Sequence, residues 1–256
     1  MGVTNERSIL VNNKYKYRVV IGLGLIVASL SVFYLTTKAP ELSPTPEGMR
    51  PWSVVFAESY FYPPSMISAY GENVEEGWTS GLLRAPAPGK NRFTTLLERM
   101  RFMLEDPSYD GFGMVLQGAV NGRARQTTTR LPSKIYIRWQ SLYDFTVYNT
   151  VLSISEETRA KMQYPHPHDG IGKVEPCYQS TFFVGPFPDG RMKLWIYGCL
   201  RFTYIGEFAP ESSESRDIPD NENPHFLKAK KEGVEFKPIP WDKTNKIYTS
   251  PNFQIN

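Results

Sequence analysis

Cys177 and Cys199 are the only thiols in a chain of 256 residues. They close the stretch CYQSTFFVGPFPDGRMKLWIYGC, in which two runs rich in apolar and aromatic residues flank Pro188-Asp189-Gly190. Proline fixes φ, aspartate tolerates turn geometry and glycine accepts positive φ, so the stretch predicts a hairpin. Folding about Pro188 sets the two sulfurs nearly opposite each other, at the spacing of cross-strand neighbours that a disulfide can bridge. In a reducing compartment the same pair would stay as buried free thiols, so the compartment decides between them.

Other residue types with chemical potential are sparse. His166, His168 and Asp169 in PHPHD are spaced to face one way. The prolines between them and the lone further histidine, His225, leave a metal set incomplete, and a solvated loop is the plainer reading. GWTSG, residues 77 to 81, is the nearest string to the Gly-x-Ser-x-Gly of a nucleophile elbow, but Thr79 stands at its centre and the acidic ENVEE precedes it in place of a strand. There is no glycine-rich phosphate loop, zinc spacing or Cys-x-x-Cys. The expectation is a protein that is not an enzyme, with no catalytic residue, no metal and no cofactor.

What the chain offers instead is aromatic and arginine content, the types that dominate protein-contact hot spots. The candidate partner contacts are Trp78, Arg123, Arg125, Arg138, Gln140 and Tyr143. Each also has a structural reading. Trp78 and Tyr143 pack as readily as they bind. Arg123 and Arg125, in RARQTTTR, suit a solvated loop as well as an anion site. Arg138 and Gln140 flank Trp139, which alternation places in the core.

The elements that position these residues follow an N-terminal apolar run. VVIGLGLIVASLSVFYL, residues 19 to 35, carries no charge, and Thr36 and Thr37 bring it to spanning length. Lys14, Lys16 and Arg18 precede it and only Lys38 follows closely, so residues 1 to 18 are expected in the cytoplasm, 19 to 37 as an uncleaved signal anchor, and the remainder outside. Cleavage near Ser29 to Ser31 is the alternative and changes the attachment, not the compartment. The expected localisation is the inner membrane, single pass, with the folded part in the periplasm, where the cysteines can oxidise. Residues 1 to 38 sum to +4 of the total of +3, so the rest carries −1 and has no basic excess to favour nucleic acid as a partner.

Residues 38 to 51 are proline-rich and read as a spacer, 52 to 208 as a β-rich domain, and 209 to 256 as a polar, irregular tail with Phe236, Ile239 and Trp241 packing back. Within the domain, WSVVFAESYFYP predicts a first strand stopped by Pro63 and Pro64, followed by a loop. Phe93, Leu96, Leu97, Met100, Met103 and Leu104 keep helical spacing over 93 to 104, with Thr95 and Glu98 as a capping box. GMVLQGAV, residues 113 to 120, reads as a strand. Ile135, Ile137 and Trp139 alternate with Tyr136, Arg138 and Gln140 in another; FTVYNTVLSI forms the next. A short helix follows, with Ser153 and Glu156 as its box, and LRFTYIGEF pairs beside the cysteine hairpin. Strands in pairs with two short helices between them predict a mainly β, α+β fold: an antiparallel sheet or a sandwich with two covering helices.

The layout from LPSKIYIRWQSLYDFTVYNTVLSISEETRAKM through Cys177 to GPFPDGRMKLWIYGCL and IGEF resembles a family of small Gram-negative envelope proteins, known mainly as a domain of unknown function and often lipoproteins. The likeness covers residues 131 to 208 and, more loosely, the WSVVF opening. Several members of that family look like immunity proteins encoded beside phospholipase effectors of the type VI secretion system. The resemblance implies a periplasmic inhibitor whose partner is a cognate toxin, a phospholipase effector. The helix anchor departs from the lipoprotein form. The competing expectation is a structural or ligand-binding envelope protein without a toxin partner.

Overall fold

Alternation along the chain builds two facing sheets. The computed structural model describes residues 45–57, 59–81, 96–116, 124–125, 129–167, 176–216, 218–235 and 237–256, within a compact unit that runs from Ser43 to Asn256. The expected anchor at 19 to 37 lies outside the described residues. Among the described residues no helix is long and apolar enough to cross a membrane.

The first sheet is antiparallel and five-stranded. Strands β2 (Pro64–Asn73), β3 (Trp78–Thr79), β6 (Lys134–Ser141), β7 (Val147–Ser153) and β11 (Ser212–Glu214) stand in the order β11-β7-β6-β2-β3. Ile135, Ile137 and Trp139 of β6 point inward, each at most 2 % exposed. The second sheet has six strands: β1 (Ser53–Phe56), β5 (Ala124–Arg125), β8 (Thr181–Pro186), β9 (Met192–Gly198), β10 (Arg201–Phe208) and β13 (Gln254–Ile255), ordered β13-β10-β9-β8-β1-β5. It is mixed, because β1 pairs parallel with β8 and β13 parallel with β10.

β1 and β8 are buried on both faces, as central strands of a layered fold must be. Val54, Phe56, Phe182, Val184, Leu194 and Ile196 meet the inner residues of the first sheet in one core. Val55, Phe183, Trp195 and Phe202 face the other way into a second core with Met114, Leu116, Trp241 and Ile247. That second core is closed by a parallel pair, β4 (Met114–Leu116) with β12 (Ile247–Thr249). The pair alternates in turn: Val115 and Tyr248 point away, into an aromatic cluster with Tyr60, Phe61, Tyr62, Tyr109 and Phe112. Helices α1 (Leu96–Leu104) and α3 (Pro224–Lys231) contribute Met100, Leu104 and Ala229 to that cluster. The sandwich is therefore backed by a third strand layer and a helical one.

Several expectations need correction. Pro64 does not stop a strand but opens the ten-residue β2, where a missing N–H at the first position costs no ladder bond. The cap of α2 (Glu156–Gln163) is Ser155, whose hydroxyl accepts from Thr158 N at 3.1 Å, in place of Ser153, the last residue of β7. The segment past Phe208 is not irregular: it supplies β11, a 3-10 turn at Asp220–Glu222, α3, α4 (Trp241–Thr244), β12 and β13. Ile239 and Trp241 do pack back on the domain, and Phe236 lies outside the described residues. At the other end Met49, read as spacer, is 5 % exposed in the main core. Thr95, Phe93 and residues 117 to 120 lie outside the described residues.

The predicted disulfide is present, Cys177–Cys199, with Cα atoms 5.7 Å apart. Its geometry differs from a bond across one hairpin. The register Thr181↔Tyr197 puts Cys199 beyond the end of β9, in the two-residue turn to β10, and Cys177 before β8, in an isolated bridge with His166. The bond thus pins the β9–β10 turn to the segment that leads into β8. That turn is unusual: Cys199 and Leu200 have φ of 56° and 57°. Two consecutive left-handed residues belong to the turn type that favours Asn-Gly.

Candidate functional site

The outward positions of the five-stranded sheet form the face on which two of the predicted contacts meet. β6 sends Tyr136, Arg138 and Gln140 outward because Ile135, Ile137 and Trp139 fill the core. Trp139 is held there by its indole, which donates to Thr150 Oγ1 at 3.2 Å, and by stacking on Tyr148 at 4.8 Å. Register then sets the neighbours on the outer side. Tyr70 of β2 lies opposite Tyr136, and their rings stack at 4.7 Å and 10°. Arg138 lies between Ser68 and Asn149, and Asn149 Nδ2 donates to Ser212 Oγ at 3.0 Å.

The electrostatics of this face are those of an exposed, polar-aromatic surface. Tyr136 donates to Glu72 Oε1 at 2.6 Å, and this bond to a carboxylate, with burial and the negative charge, pushes its pKa up to about 12. Tyr136 is thus a neutral phenol that holds Glu72 in place. Arg138 pairs with Glu214 at 3.3 Å, with side chains 47 % and 64 % exposed. An ion pair so open to water holds its partners weakly, so the guanidinium can exchange Glu214 for a carboxylate on another molecule at little cost. Gln140 is more committed: its Nε2 donates to Phe145 O at 3.0 Å and closes the β6–β7 loop, where Phe145 has φ 58°.

Among the described residues, Trp78, Tyr143 and Arg125 do not join this face. Trp78 is on β3 at the sheet's edge, opposite Asn73, whose side chain is buried; the outward neighbour of Glu72 there is Thr79. The Trp78 indole donates to Glu76 Oε2 at 2.7 Å. Tyr143 belongs to the aromatic cluster beyond the third strand layer: it packs edge-on to Tyr62 at 5.3 Å, and Lys237 Nζ sits 5.1 Å from its ring centre. Burial, with Asp144 and Asp220 nearby, raises its pKa to about 12. Arg125 is on β5, at the edge of the other sheet opposite Ser53, and Arg123 lies outside the described residues. Sequence reasoning assembled six contacts, of which the fold brings Arg138 and Gln140 together. It missed that Tyr70, Glu72, Tyr136 and Glu214 stand beside them. The alternation of β6 signals Tyr136; nothing local signals Glu214, which reaches Arg138 across 76 residues.

Of the residues considered for metal and nucleophile chemistry, His166, His225 and Thr79 are among the described residues and stand on separate elements. His166 bridges to Cys177 through its backbone, while His168 and Asp169 lie outside the described residues. Among the described residues no group of three or more His, Cys, Asp or Glu could hold a metal ion. His225 is on α3, its pKa lowered by burial and Lys228. Thr79 of GWTSG is on an exposed edge strand, not at a strand-to-helix turn.

The sequence of this domain matches the family model for proteins of unknown function, DUF2931, over residues 39–242. The chain belongs to the DUF2931 family. The matched span includes both sheets except β13, together with α1, α2 and α3, so the sheet face and the disulfide are parts of the family domain. No curated protein and no solved structure matches the chain.

Proposed function

We propose that this DUF2931 protein is an immunity protein: a binding module, not an enzyme, that occupies and inhibits a phospholipase-type toxin of the type VI secretion system. In this reading the N-terminal apolar helix holds it at the inner membrane, the domain stands in the periplasm, and binding protects the producing cell's own lipids. No cofactor or nucleic acid takes part. The observation that carries the reading is the outer sheet face, where the Tyr70–Tyr136 stack adjoins an arginine whose ion pair is half open to water. Tyrosine and arginine are the side chains that concentrate binding energy at protein interfaces. A disulfide fits the same role, since it suits an exported domain and keeps the scaffold rigid. A membrane tether raises the inhibitor's local concentration where the toxin acts.

The test is expression of a candidate cognate phospholipase effector, directed to the periplasm, with and without the full chain. Survival only with the chain is the expected result. Equal killing in both strains overturns the proposal.

A further inference from the structure

Helix α3 turns one side into the fold and the other to solvent. Ala229 is fully buried and Phe226 packs on the aromatic cluster. The opposite side carries Leu227, Lys228, Lys230 and Lys231, all exposed. Residues 227, 230 and 231 stand three and four apart, and 228 and 231 three apart, so these side chains are neighbours on one helical surface. Lys228 Nζ lies 3.8 Å from the centre of the Tyr60 ring, and none of the three lysines forms an ion pair among the described residues.

The face is basic and apolar together. The helix, PHFLKAKK, holds no acid. Glu232, the next residue, is taken up by Tyr60, whose hydroxyl donates to its Oε1 at 2.8 Å, and Glu235 lies past Gly233, where the helix has ended. Lysines in a last turn complement the helix dipole, which accounts for their place. It does not account for Leu227, 46 % exposed beside them. An apolar side chain bordered by lysines is the pattern of a helix that lies in the boundary of an anionic bilayer, with the apolar tip below the headgroups and the long lysine stems reaching the phosphates.

We propose that the outer face of α3 docks on an anionic bilayer surface, with Leu227 at the headgroup boundary and Lys228, Lys230 and Lys231 on lipid phosphates. The inference rests on the membrane part of the immunity reading. Under it the anchor ends at residue 37 and the described domain begins at Thr45, so residues 38 to 44 join them, about 25 Å at full extension. Without a tether three lysines are few, since basic segments that hold proteins on membranes by charge carry about four to eight. The tether makes up the difference, because it turns docking into an intramolecular step. An acidic protein surface is the poorer occupant, because lysine is depleted where proteins meet one another.

The experiment reconstitutes the full chain in vesicles of phosphatidylcholine alone and in vesicles with added phosphatidylglycerol, and reads the acetylation rate of each lysine by mass spectrometry. Lys230 and Lys231 are expected to react about fivefold more slowly on the anionic vesicles. Lys161 of α2, also exposed, should react equally on both, and high salt should remove the difference at α3. Equal rates for Lys230 and Lys231 on the two vesicles overturn the docking. Slowing that appears only when a periplasmic extract is added assigns the face to a protein and overturns it too. Retention on the neutral vesicles through a salt wash reads the anchor separately. A chain washed off them overturns the membrane part of the immunity reading, while the lysine rates on the anionic vesicles still decide the docking.

Discussion

Gln179 does with one side chain what the disulfide does with a covalent bond. It is 2 % exposed, its Nε2 donates to Ile196 O and Arg201 O at 3.2 and 3.1 Å, and Thr203 Oγ1 donates to its Oε1 at 3.2 Å. It thus ties the segment after Cys177 to both strands of the β9–β10 hairpin. Gly198 shows how closely that segment lies: an added Cβ would stand 2.3 Å from Tyr178 O. Backbone cannot give way as a flexible side chain does, so Gly198→Ala should cost about 2 kcal/mol. Gln179→Leu removes the donors that two carbonyls share and should cost about 1–3 kcal/mol. Urea unfolding checks both: a lower midpoint with an unchanged slope is expected, and a midpoint equal to wild type contradicts the packing described.

Among the elements, the β9–β10 turn and the C-terminal segment are the ones whose loss tells most. The disulfide spans a sequence separation of 22, for which restriction of the unfolded chain is worth roughly 3 kcal/mol. Cys177→Ser with Cys199→Ser should lower stability by about that much, read by chemical denaturation against the oxidised wild type. A double variant as stable as wild type would mean that Gln179 and the strand ladder hold the turn alone. Ending the chain at Phe208 removes β12, which covers Met114 and Leu116, and α3, which contributes Ala229 to the aromatic cluster. The truncated chain should lose its near-ultraviolet circular dichroism and bind a hydrophobic dye; a cooperative unfolding transition in it would refute the layered assignment. Arg138→Ala acts at the opposite extreme. Its ion pair is exposed, so the change should move stability by no more than about 0.5 kcal/mol while weakening effector inhibition.

For the molecule as a whole, tyrosine burial sets the response to alkali. Tyr136 is pushed up to about 12 by its hydrogen bond to Glu72, and Tyr143 and Tyr148 to about 12 chiefly by burial. Tyr60 and Tyr62 are raised further, both chiefly by burial, Tyr60 also by its bond to Glu232. An unfolded tyrosine ionises near pH 10, about two units or more below these, so the fold binds these protons more tightly than the unfolded chain does. The stability they contribute is fully present below about pH 10 and is lost as pH rises toward the folded values. Thermal midpoints should therefore fall steeply between about pH 10 and pH 12, with much of the phenolate absorbance appearing only as the chain unfolds. Complete tyrosine titration near pH 10 in a still-folded chain would show that the aromatic clusters are open to water.

Periodicity and turn chemistry made much of the sandwich legible. β6 and β7 follow from alternation, β8 and β9 from the apolar runs about Pro-Asp-Gly, and α1 from helical spacing, because each signal lies within one element and its adjoining turn. The two cysteines and their proximity were legible for the same reason. The sequence by itself thus determined a mainly β domain with a disulfide and the residues that face outward from β6. It did not show β2, since Pro-Pro reads as a stop unless the first ladder position is known to need no donor. Nor did it show β12 and β13, which have three and two residues and carry no period of their own. Tertiary structure alone decided that β1 lies parallel to β8, that Glu214 meets Arg138, and that Gln254 N–H donates to Leu200 O at the β9–β10 turn. Those pairings join segments from 54 to 128 residues apart. They are chosen by which edges and faces must meet to bury three apolar cores at once, a condition on the whole chain that no local window contains.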